Sequence, residues 1–385
     1  MFTKIFSMIT IANGIILKGK DLTPSRENIL IDDGKIITIS KDILEGEIID
    51  ASGCVVSPSF INSHTHIGDS IIKDEGYGLS FDEIVKPPNG LKHLALKNAE
   101  DKDVIDAMKL SMYDMLRSGT THFIDYREGG VKGIKLLKKA SKDIPINPII
   151  LGRDDSFYGD DPDLKSVKIA IRKILKIADG IAPSGFNEIT EEVAILISEE
   201  CTKKCKLSSI HVGESIDSQK NSIKKYNASE IELGIKNNFN QLVHCTNPLK
   251  GDLDLIKNSN VSITLCFRSN AALRVGIPNL DDFFKKGIFP SIGTDNIMIN
   301  SPNMLRELDF IFKLRQLNSK NYINPKEILK LATVNFSGKS IINEDNYCEI
   351  FISKKLSKNP YLSIINRIET KDIINIINKD DNIDI

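Results

Sequence analysis

The stretch "SPSFINSHTHIGDS", residues 57–70, carries an apolar run into two histidines one residue apart and stops at a glycine. In a β-strand, residues i and i+2 point to one face, so His64 and His66 at the end of such a strand bring two imidazoles toward a single point. That geometry suits a metal ion. The chain has only six histidines, so the pairing is informative.

Working outward, the same strand opens a series. Apolar, strand-like runs recur as "SFINSHTH", "THFIDYRE", "NPIILGRDD", "DGIAPSG", "LSSIHVGE", "QLVHCTN", "SITLCFRSN" and "PSIGTDN", eight in all. Between them lie segments such as "DKDVIDAMKLSMYDMLRSG" (101–119) and "EEVAILISEECTKKC" (191–205), where apolar residues recur at helical spacing. Eight strands alternating with helices predict an α/β fold, a (β/α)8 TIM barrel over residues 58–335, whose functional groups stand at the C-terminal ends of the strands.

The flanks read differently. Residues 8–56 form short strands broken by Asn13-Gly14 and Asp33-Gly34, which are hairpin signals. The tail returns to strand-like text in "YCEIFIS" and "YLSIINRI" before the polar "NKDDNIDI". The expectation is a small β-sandwich domain made jointly by residues 1–57 and 336–385, with strands near 348–367 completing it and the last residues frayed.

Composition excludes several classes. With 51 basic and 52 acidic residues, nothing favours nucleic acid over a small-molecule substrate. Six scattered cysteines fit reduced thiols rather than a disulfide framework. The N-terminal segment lacks the continuous apolar core and cleavage site of a signal peptide, and no run approaches a membrane span. The expectation is a cytoplasmic protein with no membrane partner; a homo-oligomer is left open.

Polar clusters fall at the predicted strand ends: His211 and Glu214 in "HVGE", His244 in "VHC", Arg268, Ser269 and Asn270 in "CFRSN", and Asp295 in "GTDN". A catalytic metal needs three or four N or O ligands and an open position, which His64, His66, His211 and Asp295 would supply. Glu214, three residues past His211, lies beyond the strand end and is read as the general acid and base. His244 would orient the attacking hydroxide or stabilise charge on the substrate. Taken singly, each has a bland reading: a packed strand-end histidine, a turn aspartate at 295, a solvated carboxylate at 214.

The ordered set "IDDGKI", "FINSHTH", "SGTTHFID", "HVGE", "VHC", "RSN", "GTDN", "LATVNFSGKS" and "EDNYCEIFI" resembles the metal-dependent amidohydrolase superfamily, within it the cytosine deaminase-like and chlorohydrolase-like group that includes S-adenosylhomocysteine and methylthioadenosine deaminases. The resemblance implies one divalent metal per chain, zinc before iron or manganese, on His64, His66, His211 and Asp295, with Glu214 shuttling protons, Asp295 helping to deprotonate the water and His244 beside the hydroxide. Binuclear relatives carry a carboxylated lysine on strand four, where this chain reads "DGIAPSG". It departs from the usual pattern at Ser59, where a glycine is common, and at Phe267, where a proline is; neither is a ligand.

The expected activity is hydrolysis of carbon–nitrogen bonds other than peptide bonds: deamination of an amino-substituted purine, pterin or pyrimidine by a metal-activated water. Cyclic amide or halide hydrolysis at the same site is the alternative, and a non-catalytic scaffold of this fold the second. The loop after strand one does not match the substrate segment of the nucleoside deaminases, so substrate identity does not carry over. Arg153, Arg127, Glu128, Arg268 and His93 are the candidates for substrate contact.

Overall fold

The computed structural model describes residues 2–4, 8–318, 322, 324–336, 340–378 and 381–384. Its centre is a parallel barrel sheet of strands β1 (Phe60–His66), β2 (Thr120–Arg127), β3 (Asn147–Gly152), β4 (Gly180–Ile181), β5 (Leu207–Val212), β6 (Gln241–His244), β7 (Ser262–Leu265) and β8, which comes in two pieces. Ser291–Ile292 pairs with β7, and Asp295–Asn296 pairs with β1, with Asp295 opposite Thr65 and Asn296 opposite His66. The ring therefore closes between the first strand and the last.

Helices separate the strands as the periodicity predicts. The helix Asp101–Arg117 buries Val104, Ile105, Met108, Met112, Met115 and Leu116 on one face, carries Asp101 and Asp103 in its first turn, and ends at Ser118 ahead of Gly119, whose φ is +84°. That is the acidic start and glycine stop expected of a helix that leads into a strand. Thr190, Ser215 and Ser229 cap later helices by accepting backbone N–H groups. Inside the barrel, Ile124, Tyr126, Leu151, Ala182, Val243 and Cys266 form a small packed floor. It supports the polar groups at the strand ends.

The flanking segments build two further sheets. One orders Phe2–Lys4, Asp381–Asp384, Ile373–Ile377, Ile350–Lys354, Cys54–Pro58, Ile15–Lys18 and Thr23–Ser25; the other orders Lys35–Ser40, Asn28–Asp32, Ile9–Ala12 and Glu47–Asp50. They share a core of isoleucines including Ile11, Ile29, Ile31, Ile350 and Ile352, so N- and C-terminal residues pack as one sandwich. No helix among the described residues is long and apolar enough to cross a membrane.

Two expectations for the tail need correction. "YLSIINRI" is not a strand but the helix Pro360–Asn366, in which Asn359 accepts the N–H groups of Tyr361 and Leu362 and proline takes the first position. An Asn-Pro start outweighs the β-branched isoleucines that follow. The expected frayed end instead supplies the strand Asp381–Asp384, paired antiparallel with Phe2–Lys4; Lys379, Asp380 and Ile385 lie outside the described residues.

Candidate active site

Strand ends deliver the predicted residues to one place. His64 and His66 sit on the last turn of pleat of β1, His211 near the end of β5, His244 at the end of β6 and Asp295 on the second piece of β8. His64, His66 and His211 offer nitrogens within 4.8 Å of one another, and nitrogens of His64 and His244 lie within the same distance of each other and of a carboxylate oxygen of Asp295. His64 packs edge-on against Tyr126, whose ring centroid is 4.1 Å away and whose hydroxyl bonds Ser209 and Gln241 across the barrel floor. His244 and Asp295 both have positive φ, +75° and +61°, a costly backbone state for residues with a Cβ, of the kind that persists where the surroundings over-determine it.

Hydrogen bonding fixes which ring atoms are free. His211 Nδ1 donates to Pro183 O at 3.2 Å, leaving Nε2 as an acceptor. At His66, Nδ1 lies 3.3 Å from Tyr126 O and 3.1 Å from Glu128 Oε1, with Arg153 Nη2 in the same cluster at 2.9 Å. The two oxygen acceptors assign the proton to Nδ1 and leave Nε2 bare. The bare Nε2 atoms of His66 and His211 then face each other at 3.4 Å. His64 Nε2 and Asp295 Oδ1 are buried 3.0 Å apart, and neither they nor His64 Nδ1 has a partner in hydrogen-bond geometry, while Asp295 Oδ2 accepts from Ser269 Oγ at 2.6 Å.

Burial holds His64 below the usual histidine range and His66 and His211 well below it, so the rings are neutral. For Asp295 burial pushes upward, but the contact with His64 Nε2 at 3.0 Å holds its carboxyl well below the usual range. Neutral imidazole lone pairs and an ionised carboxylate oxygen, buried and converging, would be costly if left alone. They are the donor set a divalent cation requires, and the residues present fit one.

Glu214 and His244 stand beside this cage. β5 ends at Val212, Gly213 turns the chain at a φ of +59°, and Ser215 caps the following helix, which leaves Glu214 at the top of the strand. Asn247 Nδ2 holds its backbone carbonyl at 2.8 Å. Glu214 Oε2 is 3.5 Å from His244 Nε2. Burial raises the Glu214 carboxyl well above the usual range, and Asp295, Glu230 and Glu188 add to the effect. His244 Nδ1 lies 3.0 Å from Asn270 Oδ1, and Asn270 Nδ2 is turned to Thr246 Oγ1 at 2.6 Å. With the amide oxygen as acceptor, Nδ1 carries the proton and Nε2 of His244 accepts; burial lowers this ring to about 4.

A cavity opens over the cluster, and His66, His211, Glu214, His244 and Asp295 line it. Of the substrate candidates, Arg153 lines it too. Arg127 and Glu128 are buried behind His66, joined at 2.8 Å, and with His93 they border a second cavity on the outer side. His93 Nε2 is bound to Val85 O at 3.1 Å. Arg268 is turned to Ser301 O at 3.2 Å and Glu307 at 3.8 Å. Missing from the sequence reading were Lys92, Asn296, Glu188 and Glu230, all in the lining. Lys92 is 2% exposed and its Nζ is 3.1 Å from both Asn296 Oδ1 and Glu128 Oε1; a lone lysine on a loop helix gave no signal.

Comparison with known proteins agrees with this architecture. A protein of Methanothermobacter thermautotrophicus, provisionally named an aminohydrolase, is 44% identical over 97% of this chain and 98% of its own length. The 5-methylthioadenosine/S-adenosylhomocysteine deaminase of Pyrococcus horikoshii is 26% identical over 85% of this chain and 80% of its own. The crystal structure of an adenosine deaminase from Xanthomonas campestris with bound zinc superposes with a TM-score of 0.82 at 14% identity, covering 96% of this chain and 91% of that one. Residues 55–337 match the amidohydrolase family. The chain belongs to the amidohydrolase family and is a hydrolytic enzyme.

Proposed function

We propose that the chain deaminates an amino-substituted nitrogen heterocycle of purine, pterin or pyrimidine type, with one divalent metal, zinc by preference, held by His64, His66, His211 and Asp295. The observation that carries this is the meeting, at one cavity, of the converging histidine nitrogens and Asp295 oxygen with Glu214, whose carboxyl burial raises well above the usual range. Deaminase names among the relatives and zinc in the Xanthomonas campestris structure support the reading.

The chemistry such an ion supplies when bound is Lewis-acid activation of water at neutral pH. The protein residues handle the rest. His244 Nε2, an acceptor, orients the attacking water over the ring carbon. Asp295, ionised, takes a proton from that water. Glu214, kept protonated by burial, donates to the adjacent ring nitrogen as the carbon–oxygen bond forms. The second proton of the water then passes through the carboxyl pair to the amino group, the carbon–nitrogen bond breaks, and ammonia leaves with a carbonyl in its place. A raised carboxylic acid beside an ionised one is the arrangement this division of labour needs.

Ammonia release by metal-loaded protein against a panel of amino-purines, amino-pterins and amino-pyrimidines tests the reading. Release from at least one ring type is expected, with loss on chelation and recovery on adding zinc. Opening of lactam rings or release of halide without any ammonia would overturn it in favour of the other hydrolase.

A further inference from the structure

Glu188 stands on the turn after β4, on the far side of the barrel mouth from β1 and β8, where Lys92 and Asn296 line the same cavity. Its Oε2 accepts the backbone N–H of Gly185 at 3.0 Å, which fixes the side chain. The nearby cation, Lys86, is paired with Asp82 at 2.9 Å, and among the described residues no side chain forms an ion pair with Glu188. The adjoining carboxyl, Glu230, is by contrast satisfied, accepting from Gly213 N at 2.8 Å, Asn187 Nδ2 at 2.8 Å and Ser218 Oγ at 2.9 Å. Gly185 permits this corner: a Cβ there would stand 3.3 Å from Glu188 Oε2 and 3.5 Å from Glu230 Oε1.

The cavity is thus polar across its width. On one wall Lys92 spends N–H groups on Asn296 and Glu128 and keeps the third of its three donors. On the other, Glu188 presents acceptor capacity that the protein does not use. Glu214 and Asp295 are committed to proton transfer, so Glu188 is the carboxylate left for recognition. Burial raises the Glu188 carboxyl above its usual range, so the group disfavours anionic substrates and rewards paired N–H donors, which offset that cost and which it can accept two at a time.

We propose that Glu188 determines specificity by accepting two N–H groups from the amidine edge of the substrate, a protonated ring nitrogen beside an exocyclic amino group other than the one that is lost. This rests on the deaminase reading and narrows its substrate class to diamino heterocycles. Each oxygen has two lone pairs, so the bond from Gly185 does not prevent the pairing. The preference that follows, with a charge-assisted pair in a partly dry site, is about ten- to hundredfold.

The test measures binding and ammonia release together on metal-replete protein, with 2,4-diaminopyrimidine and 4-aminopyrimidine as probes and with wild type, Glu188→Gln and Glu188→Ala. Wild type should bind the diamino ring at least tenfold more tightly by calorimetry. Both variants should reduce that ratio below about threefold, with the affinity for 4-aminopyrimidine unchanged. Equal affinities in wild type, or a ratio that survives in either variant, would overturn the assignment. A ratio that follows Glu188 with no ammonia from any ring would uphold Glu188 and remove the deaminase reading. Ammonia release with no dependence on Glu188 would do the reverse.

Discussion

Oε1 of Glu128 lies 3.1 Å from Nδ1 of His66, on the side of the ring turned away from the cage. Burial would raise the Glu128 carboxyl, but Lys92, Arg153 and Arg127, at 3.1, 3.4 and 2.8 Å, hold it well below the usual range. The anion is therefore paid for by three cations, and its role toward the site is to fix the His66 tautomer and sharpen the Nε2 lone pair. Buried charge sets of this kind tolerate little change.

Glu128→Gln should accordingly weaken metal binding by about 10- to 100-fold, the usual cost of losing such a partner to a metal-ligating histidine. Competition against a chelator measures it. At saturating metal, kcat should stay within a few-fold of wild type. Unchanged affinity would return Glu128 to the list of candidate substrate contacts.

His211 and Glu214 are three residues apart and should fail differently. On the proposed reading His211→Ala removes a ligand, so metal and activity should go together and return in part at high metal. Glu214→Gln keeps the shape but cannot transfer a proton, so metal content stays near one per chain while kcat falls by about 10² to 10⁴. Bound metal and turnover in the same preparations decide it. Loss of metal in Glu214→Gln would place that residue in the cage instead.

What the sequence made legible follows from what a period of two can encode. His64 and His66 share a face because i and i+2 always do in a strand, and "HVGE" and "GTDN" stand at strand ends that their glycines mark. Lys92 could not be read this way, because a lysine on a loop helix is ordinarily a surface residue; its partners, Glu128 just past β2 and Asn296 of β8, are far apart in sequence and meet it only in the folded barrel. Glu188 and Glu230 lie on the turn after β4 and on a later helix, and no local spacing announces that they meet at Gly185. The tail was misread because isoleucine-rich text favours strand until the Asn359 cap is weighed.

Barrel closure itself can be tested at Gly293, which joins the two pieces of β8. A Cβ there would stand 2.6 Å from both N and Cβ of His64 and 2.7 Å from its O, and backbone cannot yield as a flexible side chain does. Gly293→Ala should cost about 3 kcal/mol or more, at the upper end for overpacking, and should displace His64 and Asp295 together. Thermal denaturation and metal content are the readouts. Near wild-type values for both would mean that β1 and β8 are less tightly apposed than described.

Glu307 is fully buried on the helix Met304–Asn318 and makes stability depend on pH. Burial pushes its carboxyl up to about 7 from 4.5, against the opposing pull of Arg268. Its Oε2 has no hydrogen-bond partner, while Oε1 accepts the N–H of Arg268 at 3.1 Å. Because the folded value lies above the unfolded one, the stability this group contributes is complete below pH 4.5 and is lost as pH rises through 7. The loss is about 3 kcal/mol between those limits. Glu307→Gln retains an acceptor for Arg268 and cannot ionise, so its decline in stability from pH 5.5 to 8.5, which takes in about the upper 1.5 units of that window, should be shallower than wild type by about 2 kcal/mol. Urea denaturation of metal-saturated protein at the two pH values gives the comparison, and parallel declines in wild type and variant would mean that Glu307 is already ionised in the folded chain.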